Sequence, residues 1–295
     1  MRRSAPIAAC LGLLVSWGAA AAPSAAADEG SGRGLVVVID PGHGGAHPHE
    51  GAHGARGLVE KTVALQVSRR VKAALEAEGA MVLLTREDDV DLPLSARAML
   101  ANENDADLFL SIHCNSMATA EDRRTTQGVE TYFLSPDPTD AEAKLLAEME
   151  NGGPDALPSP KAADPVKGLL ADLQLGQARN DSARFAEFVQ HALVTGLRAT
   201  GRGVRQAPFL VLSALKMPAA LVEIGFISHP AEGRRLGKDA YQDRVAQAIT
   251  NAVKQFSGRV LAKRLEPSSK AIPAVQKAGK ASSAVPAVAG LPQAR

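Results

Sequence analysis

The stretch VVVIDPGHGG, residues 36–45, joins a run of β-branched aliphatic residues to a Pro-Gly turn and a histidine between glycines. A short apolar run that ends at Pro-Gly predicts a buried strand, here from Leu35 to Asp40, that leads into a loop. Glycine on both sides of His43 permits a sharp change of chain direction. The stretch therefore predicts a strand of a buried sheet, with His43 facing a cleft at the end of that strand.

The same alternation of buried strand and amphipathic helix continues along the chain. From Val59 to Leu75 apolar residues recur every four positions, as one face of a helix requires, and another helix is predicted around 97–102. Further strands are predicted at 81–86, 106–113, 128–134, 209–212 and 219–226. This order predicts an α/β fold: a single domain with a central mixed, mostly parallel six-stranded sheet flanked by helices on both faces.

An insertion at about 136–182 separates the fourth and fifth predicted strands. Its first part predicts a helix over 139–151, capped by Thr139 or Asp140. One face of that helix carries Ala141, Leu145 and Met149. The segment 152–165 is rich in proline and glycine, which favours a flexible connection. Two more helices are predicted after it, one beginning at Pro165 and one ending near Arg198.

The two ends of the chain differ from the middle. Residues 1–27 contain two arginines, an apolar run and small residues, a pattern typical of a secretory signal peptide cut after Ala27. The apolar run is too short for a stable membrane span, although an uncleaved anchor is the alternative. Residues 28–34 are interpreted as a linker and 35–258 as the catalytic domain. The basic, low-complexity segment 259–295 is predicted to be a disordered tail.

Composition limits the classes of function. The 295 residues are 45% hydrophobic and 22% charged, as in a soluble globular protein, with a formal net charge of +1. Residues 259–295 contribute +6, so the body without the tail and the two leading arginines is acidic, at −7. An acidic body argues against nucleic acid as a partner. Cys114 is the only cysteine outside the predicted signal peptide, which excludes an internal disulfide.

Four residues have the chemistry of a hydrolytic metal site. His43 follows the first strand, Glu60 begins a helix and His113 ends the third strand. Two histidines and a glutamate from separate elements can form a three-ligand zinc site that leaves one position open. Glu223 lies within the apolar strand AALVEIGF, where an unpaired carboxylate is costly, and it suits a general base. The structural alternative for Glu223 is an ion pair with Arg86 or Arg205.

Seven segments, taken in order, resemble those of the zinc-dependent N-acetylmuramoyl-L-alanine amidases of the cell-division type, which cut bacterial peptidoglycan. They are VVVIDPGHGG, GLVEKTVAL, LLTREDD, ADLFLSIHCN, GVRQAPFLVL, MPAALVEIGFISHPAEGRRL and YQDRVAQAI, within about residues 35–256. The resemblance implies one zinc ion held by His43, Glu60 and His113, with Glu223 as the catalytic residue. It implies hydrolysis of the amide between N-acetylmuramic acid and the L-alanine of the stem peptide.

The resemblance extends to regulation at the segment AEAKLLAEMENGG. In cell-division members an inserted helix offers a glutamate to the zinc until an activator protein displaces it. Glu150 is the candidate for this contact, with Glu142 and Glu148 as alternatives, and a helix that merely packs on the surface is the simpler reading. The implied location is the periplasm or the cell wall outside the cell. Two rival functions remain: a non-catalytic peptidoglycan-binding protein of the same fold, and a different zinc peptidase of the wall.

Several residues near the predicted site have no firm role. Cys114 stands where alanine is commoner in the family, but as the neighbour of His113 on a strand it should face the opposite side. His229 stands where asparagine is usual and is interpreted as a surface residue. His47, His49 and His53 lie in the loop between two predicted ligands, and we interpret them as solvated, with contact to substrate as the alternative. Ligand types do not by themselves exclude another divalent metal.

Overall fold

The structure is a computed structural model that describes residues 34–152 and 165–265. Six strands form one sheet in the order β2-β1-β3-β6-β4-β5. They are β1 (Val36–Pro41), β2 (Met81–Leu84), β3 (Leu108–Asn115), β4 (Val129–Leu134), β5 (Gly201–Ala207) and β6 (Ala219–Phe226). All neighbouring strands are parallel except β4 and β6, which are antiparallel. The predicted mixed, mostly parallel six-stranded α/β sheet is confirmed.

Helices cover both faces of this sheet. They are α1 (Glu60–Ala77), α2 (Leu94–Glu103), α3 (Asp122–Thr125), α4 (Ala141–Glu150), α5 (Pro165–Leu197), α6 (Leu210–Ser213), α7 (Pro230–Leu236) and α8 (Asp239–Leu265). Helices α1, α5 and α8 bury apolar side chains against one face, and α2, α4 and α6 pack on the other. Among the described residues, no helix combines the length and apolar character that a membrane span requires.

The predicted fifth strand is wrong. Residues 209–212 do not form a strand, because Leu210–Ser213 is the short helix α6. The fifth strand is instead Gly201–Ala207, with the sequence GRGVRQA. It is the edge strand beside β4, and all but its two end residues are half-buried, so it lacks the continuous apolar run by which buried strands are recognised.

The insertion also differs in part from expectation. Helix α4 begins after Asp140, whose side chain accepts a hydrogen bond from the backbone N–H of Ala143, as the predicted cap requires. Its predicted apolar face points outward: Leu145 and Met149 are exposed, while Ala143, Leu146 and Ala147 are buried. The two helices predicted after residue 164 are one continuous helix, α5. The predicted start of the disordered tail is wrong, because residues 259–265 belong to helix α8. The predicted signal peptide and the rest of the predicted tail lie outside the described residues.

Parallel pairing brings the carboxyl ends of β1, β3 and β6 to one edge of the sheet. At the end of β1 the buried carboxylate of Asp40 accepts hydrogen bonds from Arg97 Nη1, at 2.8 Å, and from Ser111 Oγ, at 2.7 Å. Arg97 also donates to the carbonyls of Pro41 and His43, each at 2.9 Å. A second buried arginine, Arg86, donates to the carbonyls of Pro41 at 3.0 Å and Gly42 at 2.8 Å. Two guanidinium groups therefore fix the loop that carries His43.

Removing one partner of the Asp40–Arg97 ion pair should lower the free energy of unfolding. Arg97→Ala would leave the Asp40 carboxylate buried without its counter-charge, a change that typically costs about 3 to 5 kcal/mol. Urea unfolding followed by circular dichroism measures this difference. Asp40→Asn in the Arg97→Ala background is the matched control and should recover part of the loss, since the buried carboxylate that lost its counter-charge is then neutral. Equal stability of wild type and Arg97→Ala would contradict this account.

The same pair has a defined pH dependence. Burial raises the pKa of Asp40, but Arg97, Thr85 and Ser111 outweigh burial and hold it below its usual value. A carboxyl with a lowered folded-state pKa contributes stability above its unfolded-state pKa, and that contribution is lost as pH falls through the folded-state value. The difference in unfolding free energy between wild type and Arg97→Ala should therefore shrink in acid.

Candidate metal centre

His43 has a backbone conformation that few side chains adopt. Its φ angle is 58°, in the left-handed region, directly after the Pro-Gly turn that ends β1. Such a conformation persists only when surrounding contacts impose it. Here Arg97 holds the carbonyl of His43 and Arg86 holds that of Gly42. The imidazole is thus placed by a rigid polar frame.

Glu60, the first residue of α1, is buried and held at both carboxylate oxygens. Oε1 accepts from the backbone N–H of Cys114 at 2.9 Å, and Oε2 accepts from that of Ala52 at 2.8 Å. Gly51 has a φ of 74° and lies so close that a Cβ on it would come within 2.5 Å of the His43 ring and 2.6 Å of Glu60 Oε2. Glycine is therefore required at this position if both side chains are to keep their places.

Three residues predicted from the sequence converge, and a fourth joins them. His43 Nε2 lies 3.1 Å from Glu60 Oε1 and 3.2 Å from Glu150 Oε2. His113 Nδ1 lies 3.1 Å from each of the same two oxygens. One candidate ligand atom from each of the four residues falls within 4.8 Å of all the others. The inserted helix α4 thus ends with its last residue against the histidine pair.

The spacing of these atoms suits a metal ion. Four donors about 2 Å from one tetrahedral ion are separated from each other by roughly 3.3 Å. Four of the six separations here are 3.1 to 3.2 Å, and all of them lie within 4.8 Å. Although His43 Nε2 is buried and near two carboxylates, it makes no hydrogen bond of acceptable geometry. Once it has lost its proton, this nitrogen can donate its lone pair to a metal ion. Two imidazoles and two carboxylates are also donor types that bind zinc.

The electrostatics of the group show how strongly it would favour a cation. Burial alone would lower the pKa of His43, but the carboxylates of Glu60 and Glu150 raise it to about 10. The pKa of His113 is raised well above its usual value against the same effect of burial, with Glu150 as the main cause. Without a metal, protons on the imidazoles balance the two carboxylates.

Glu223 is buried at 1% exposure on β6, and its register partner on β3 is His113. Neither of its carboxylate oxygens has a hydrogen-bond partner. Burial, followed by the nearby carboxylates of Glu60, Glu150 and Glu130, raises its pKa well above the usual range despite the opposing effect of His113. The ion-pair alternative is wrong, since Arg86 donates to backbone carbonyls and Arg205 pairs with Asp140 and Glu142.

Sequence reasoning missed the polar group on the other side of Glu223. Glu130 on β4 is the register partner of Glu223 and is fully buried. Its carboxylate is bound by the Tyr132 hydroxyl and by Arg202 of β5. The buried acid in the predicted strand GVETYFL was the available signal, as it was for Asp40 at the end of β1.

The loop histidines are separate from the metal group. His47, His49 and His53 are exposed, in agreement with the solvated interpretation. His49 nevertheless lies at the rim of a cavity of about 350 Å³ that also touches His43 and His113.

Two neighbours of the site behave differently from each other. Cys114 points away from His113 into the apolar core, as expected, and burial raises its pKa. His229 is more than a surface residue: its Nδ1 accepts hydrogen bonds from the backbone N–H groups of Ala231 and Glu232 and caps α7. An imidazole nitrogen here does the work that asparagine oxygens do at helix starts.

The chain is similar to known proteins over most of its length. A family profile described as N-acetylmuramoyl-L-alanine amidase matches residues 37–255. The chain is 34% identical over 227 residues to the N-acetylmuramoyl-L-alanine amidase AmiA of Escherichia coli K12, covering 76% of each chain. It is 34% identical over 236 residues to AmiC of Neisseria meningitidis serogroup B, covering 79% of this chain and 55% of that protein.

The fold is also similar to that of a solved structure. The N-acetylmuramoyl-L-alanine amidase AmiC2 of Nostoc punctiforme superposes with a TM-score of 0.57 at 30% identity, over 76% of this chain and 98% of that one. The chain spans only about half the length of the AmiC relatives, 55% and 56%. Sequence, fold and the matched range together show that the chain belongs to the N-acetylmuramoyl-L-alanine amidase family.

Proposed function

We propose that the protein is a zinc-dependent N-acetylmuramoyl-L-alanine amidase. It hydrolyses the amide between N-acetylmuramic acid and the first L-alanine of the peptidoglycan stem, in wall remodelling or daughter-cell separation. The observation that carries this proposal is the convergence of His43, Glu60 and His113 beside Glu223, a buried carboxylate with no partner. Family membership supports the same conclusion. His43, Glu60 and His113 would hold one zinc ion.

Each residue has a distinct part in the proposed reaction. Zinc, when bound, supplies a Lewis acid that polarises the scissile carbonyl and makes the attacking water more acidic. Glu223 accepts the proton of that water at a carboxylate oxygen and passes it to the leaving nitrogen of L-alanine. The C–O bond to the water oxygen forms first, and the C–N bond then breaks as the nitrogen takes up the proton from Glu223. Burial without a hydrogen-bond partner raises the pKa of Glu223, which strengthens the affinity of its carboxylate for the proton that it accepts.

We further propose that α4 inhibits the enzyme. Glu150 lies 3.2 Å from His43 Nε2 and 3.1 Å from His113 Nδ1, where it would occupy the position that substrate and water need. Glu148 is not near the histidines and instead faces Lys144 at 3.8 Å, which favours Glu150 over this alternative. An activator protein that binds α4 in a displaced position would open the site.

The location of the protein follows from the proposed substrate. Peptidoglycan lies outside the cytoplasmic membrane, so the proposal requires export, to the periplasm or to the outer wall. The signal peptide at 1–27 and a disordered tail at 266–295 stay predictions.

Zinc binding should release protons. Below about pH 10 the metal-free His43 carries a proton, and His113 does too at neutral pH, because both pKa values are raised. A metal binds only the neutral imidazoles, so binding at pH 7 should release close to two protons per zinc ion and should strengthen as pH rises. Isothermal titration calorimetry in buffers of different ionisation enthalpy counts these protons. Glu150→Gln should release fewer, since one of the carboxylates that raises both pKa values is gone. Release of no protons would contradict the assigned ligands.

A second experiment distinguishes the proposed general base, Glu223, from a proposed zinc ligand, His113. Glu223→Gln should keep one zinc per chain but lose activity by at least about a hundredfold, the usual size of a general-base contribution. His113→Ala should lose zinc as well. Metal analysis and mass spectrometry of digested peptidoglycan measure both properties in proteins that also carry Glu150→Ala.

The products distinguish the rival functions in the same experiment. Free stem peptides with an L-alanine amino terminus support the amidase. Shortened stems would instead indicate a different zinc peptidase, and an absence of products with zinc bound would indicate a peptidoglycan-binding protein.

Inhibition by α4 predicts opposite effects on metal and on rate. Glu150→Ala removes one contact to the ion and should weaken zinc binding, yet it should raise basal amidase activity about tenfold or more, because the open position becomes available. Glu148→Ala is the matched control on the same helix and should change neither property. Unchanged basal activity in the zinc-loaded Glu150→Ala protein, or in a protein lacking residues 139–165, would exclude the inhibitory role.

A further inference from the structure

Helix α4 places a second carboxylate in a specific site besides Glu150. Glu142, in its first turn, contacts Arg202 Nη2 through Oε1 at 2.7 Å and Arg205 Nη1 through Oε2 at 3.1 Å. Both arginines belong to the edge strand β5, and their side chains are only 22% and 15% exposed. One carboxylate is thus held between two partly desolvated guanidinium groups.

Arg202 has contacts that do not depend on α4, whereas the ion pairs of Arg205 do. Arg202 also binds the buried carboxylate of Glu130, and its guanidinium lies 5.3 Å from the centre of the Phe226 ring. Arg205 also lies near Asp140, at 3.4 Å, on the same helix as Glu142. If α4 leaves, Arg202 keeps Glu130, but the described residues leave Arg205 without a carboxylate within ion-pair distance. A partly buried cation in that state favours a new anion.

These arginines lie on the same side of the sheet as the catalytic group. Glu223 pairs in register with Glu130, and two residues along β4 Tyr132 pairs with Arg205. Two strand spacings separate β6 from β5, or roughly 10 Å. Along α4, Glu142 and Glu150 are eight residues apart, or about 12 Å. An extended peptide covers that distance in about three or four residues.

We propose that Arg202 and Arg205 form a subsite that binds a carboxylate of the stem peptide once Glu142 has left them. This inference rests on the proposed amidase function. The stem that begins at the scissile L-alanine continues with residues that carry free carboxylates. Helix α4 then mimics substrate at two points: Glu150 at the metal group and Glu142 at the arginine pair.

The cavity that borders the metal group differs in chemistry from the arginine pair. Its described lining combines apolar residues, among them Leu92 and Phe209, with the carboxylates of Asp40, Asp91 and Glu150. Its one arginine, Arg97, is engaged by Asp40 and by three backbone carbonyls. A cavity without an available guanidinium suits the uncharged muramoyl group, so the acidic stem extends toward β5.

The test compares KM values in a permanently open background, the full chain with zinc and with Glu142→Gln and Glu150→Ala. The probes are a soluble muropeptide with a tripeptide stem and the same compound with its stem carboxylates converted to amides. Amidation should raise KM about tenfold in the background. Adding Arg205→Gln should raise KM for the acidic probe about tenfold, leave kcat nearly unchanged, and abolish most of the effect of amidation.

Matched variants separate a subsite from a structural role. Arg205→Lys keeps the charge and should give a smaller rise in KM, whereas Arg244→Gln, on α8 against the other face of the sheet, should leave KM unchanged. Arg205 is the better test position because Arg202→Gln would also strip Glu130 of its counter-charge. Thermal unfolding checks that each variant is folded.

The possible results have distinct meanings. If Arg205→Gln leaves KM unchanged, or if amidation costs as much in Arg205→Gln as in the background, the subsite is wrong while the amidase function stands. If the zinc-loaded background releases no stem peptide from either probe, the proposed function itself fails, and the subsite fails with it.

Discussion

The structure of the site depends on the buried pair of Asp40 and Arg97 at the end of β1. Burying a carboxylate and a guanidinium costs several kcal/mol per ion unless nearly all their hydrogen bonds are made. Here the Arg97 guanidinium donates to Asp40 and to the carbonyls of Pro41 and His43 in the following turn. Arg86 donates to the carbonyls of Pro41 and Gly42 in the same turn. The charges therefore stabilise a loop in which His43 adopts a positive φ. If Asp40 and Arg97 made fewer of these hydrogen bonds, the pair would destabilise the fold and would not hold His43 in place.

Much of this arrangement could be predicted from the sequence, and the failures have physical causes. Buried strands such as β1 and β6 are apolar throughout, so their positions were predicted within about two residues. Strand β5 was missed because an edge strand need not be apolar, and its arginines bind the carboxylates of Glu142 on α4 and Glu130 on β4. The orientation of α4 was also missed, since Leu145 and Met149 suggest a buried face that small residues supply instead.

The candidate site was predictable for a different reason. The positions of His43, Glu60 and His113 at the ends of elements, together with family resemblance, suffice to select these residues. No local pattern shows that Arg97 supports His43 from 54 positions away, or that Glu130 adjoins Glu223. Such contacts arise from strand order, which a single sequence specifies only weakly.

In the proposed scheme, the charge of the centre allows one short helix to regulate it. Among the described residues, the carboxylates of Glu60, Glu130, Glu150 and Glu223 lie around the histidine pair, and Arg202 gives a fixed counter-charge to Glu130. A divalent cation would relieve this excess, and a carboxylate at the end of α4 would gain from the same cation.

Helix α4 has only ten residues, and a helix of that length has little stability of its own in water. Its closed position is therefore stabilised mainly by contacts at its two ends and by three small or medium apolar side chains beneath it. A ligand opens the site only to the extent that it binds the open state more tightly than the closed one. A substrate that supplies its own carbonyl to the metal and its own carboxylate to Arg205 replaces both end contacts, so in the proposed scheme substrate binding itself favours the open state.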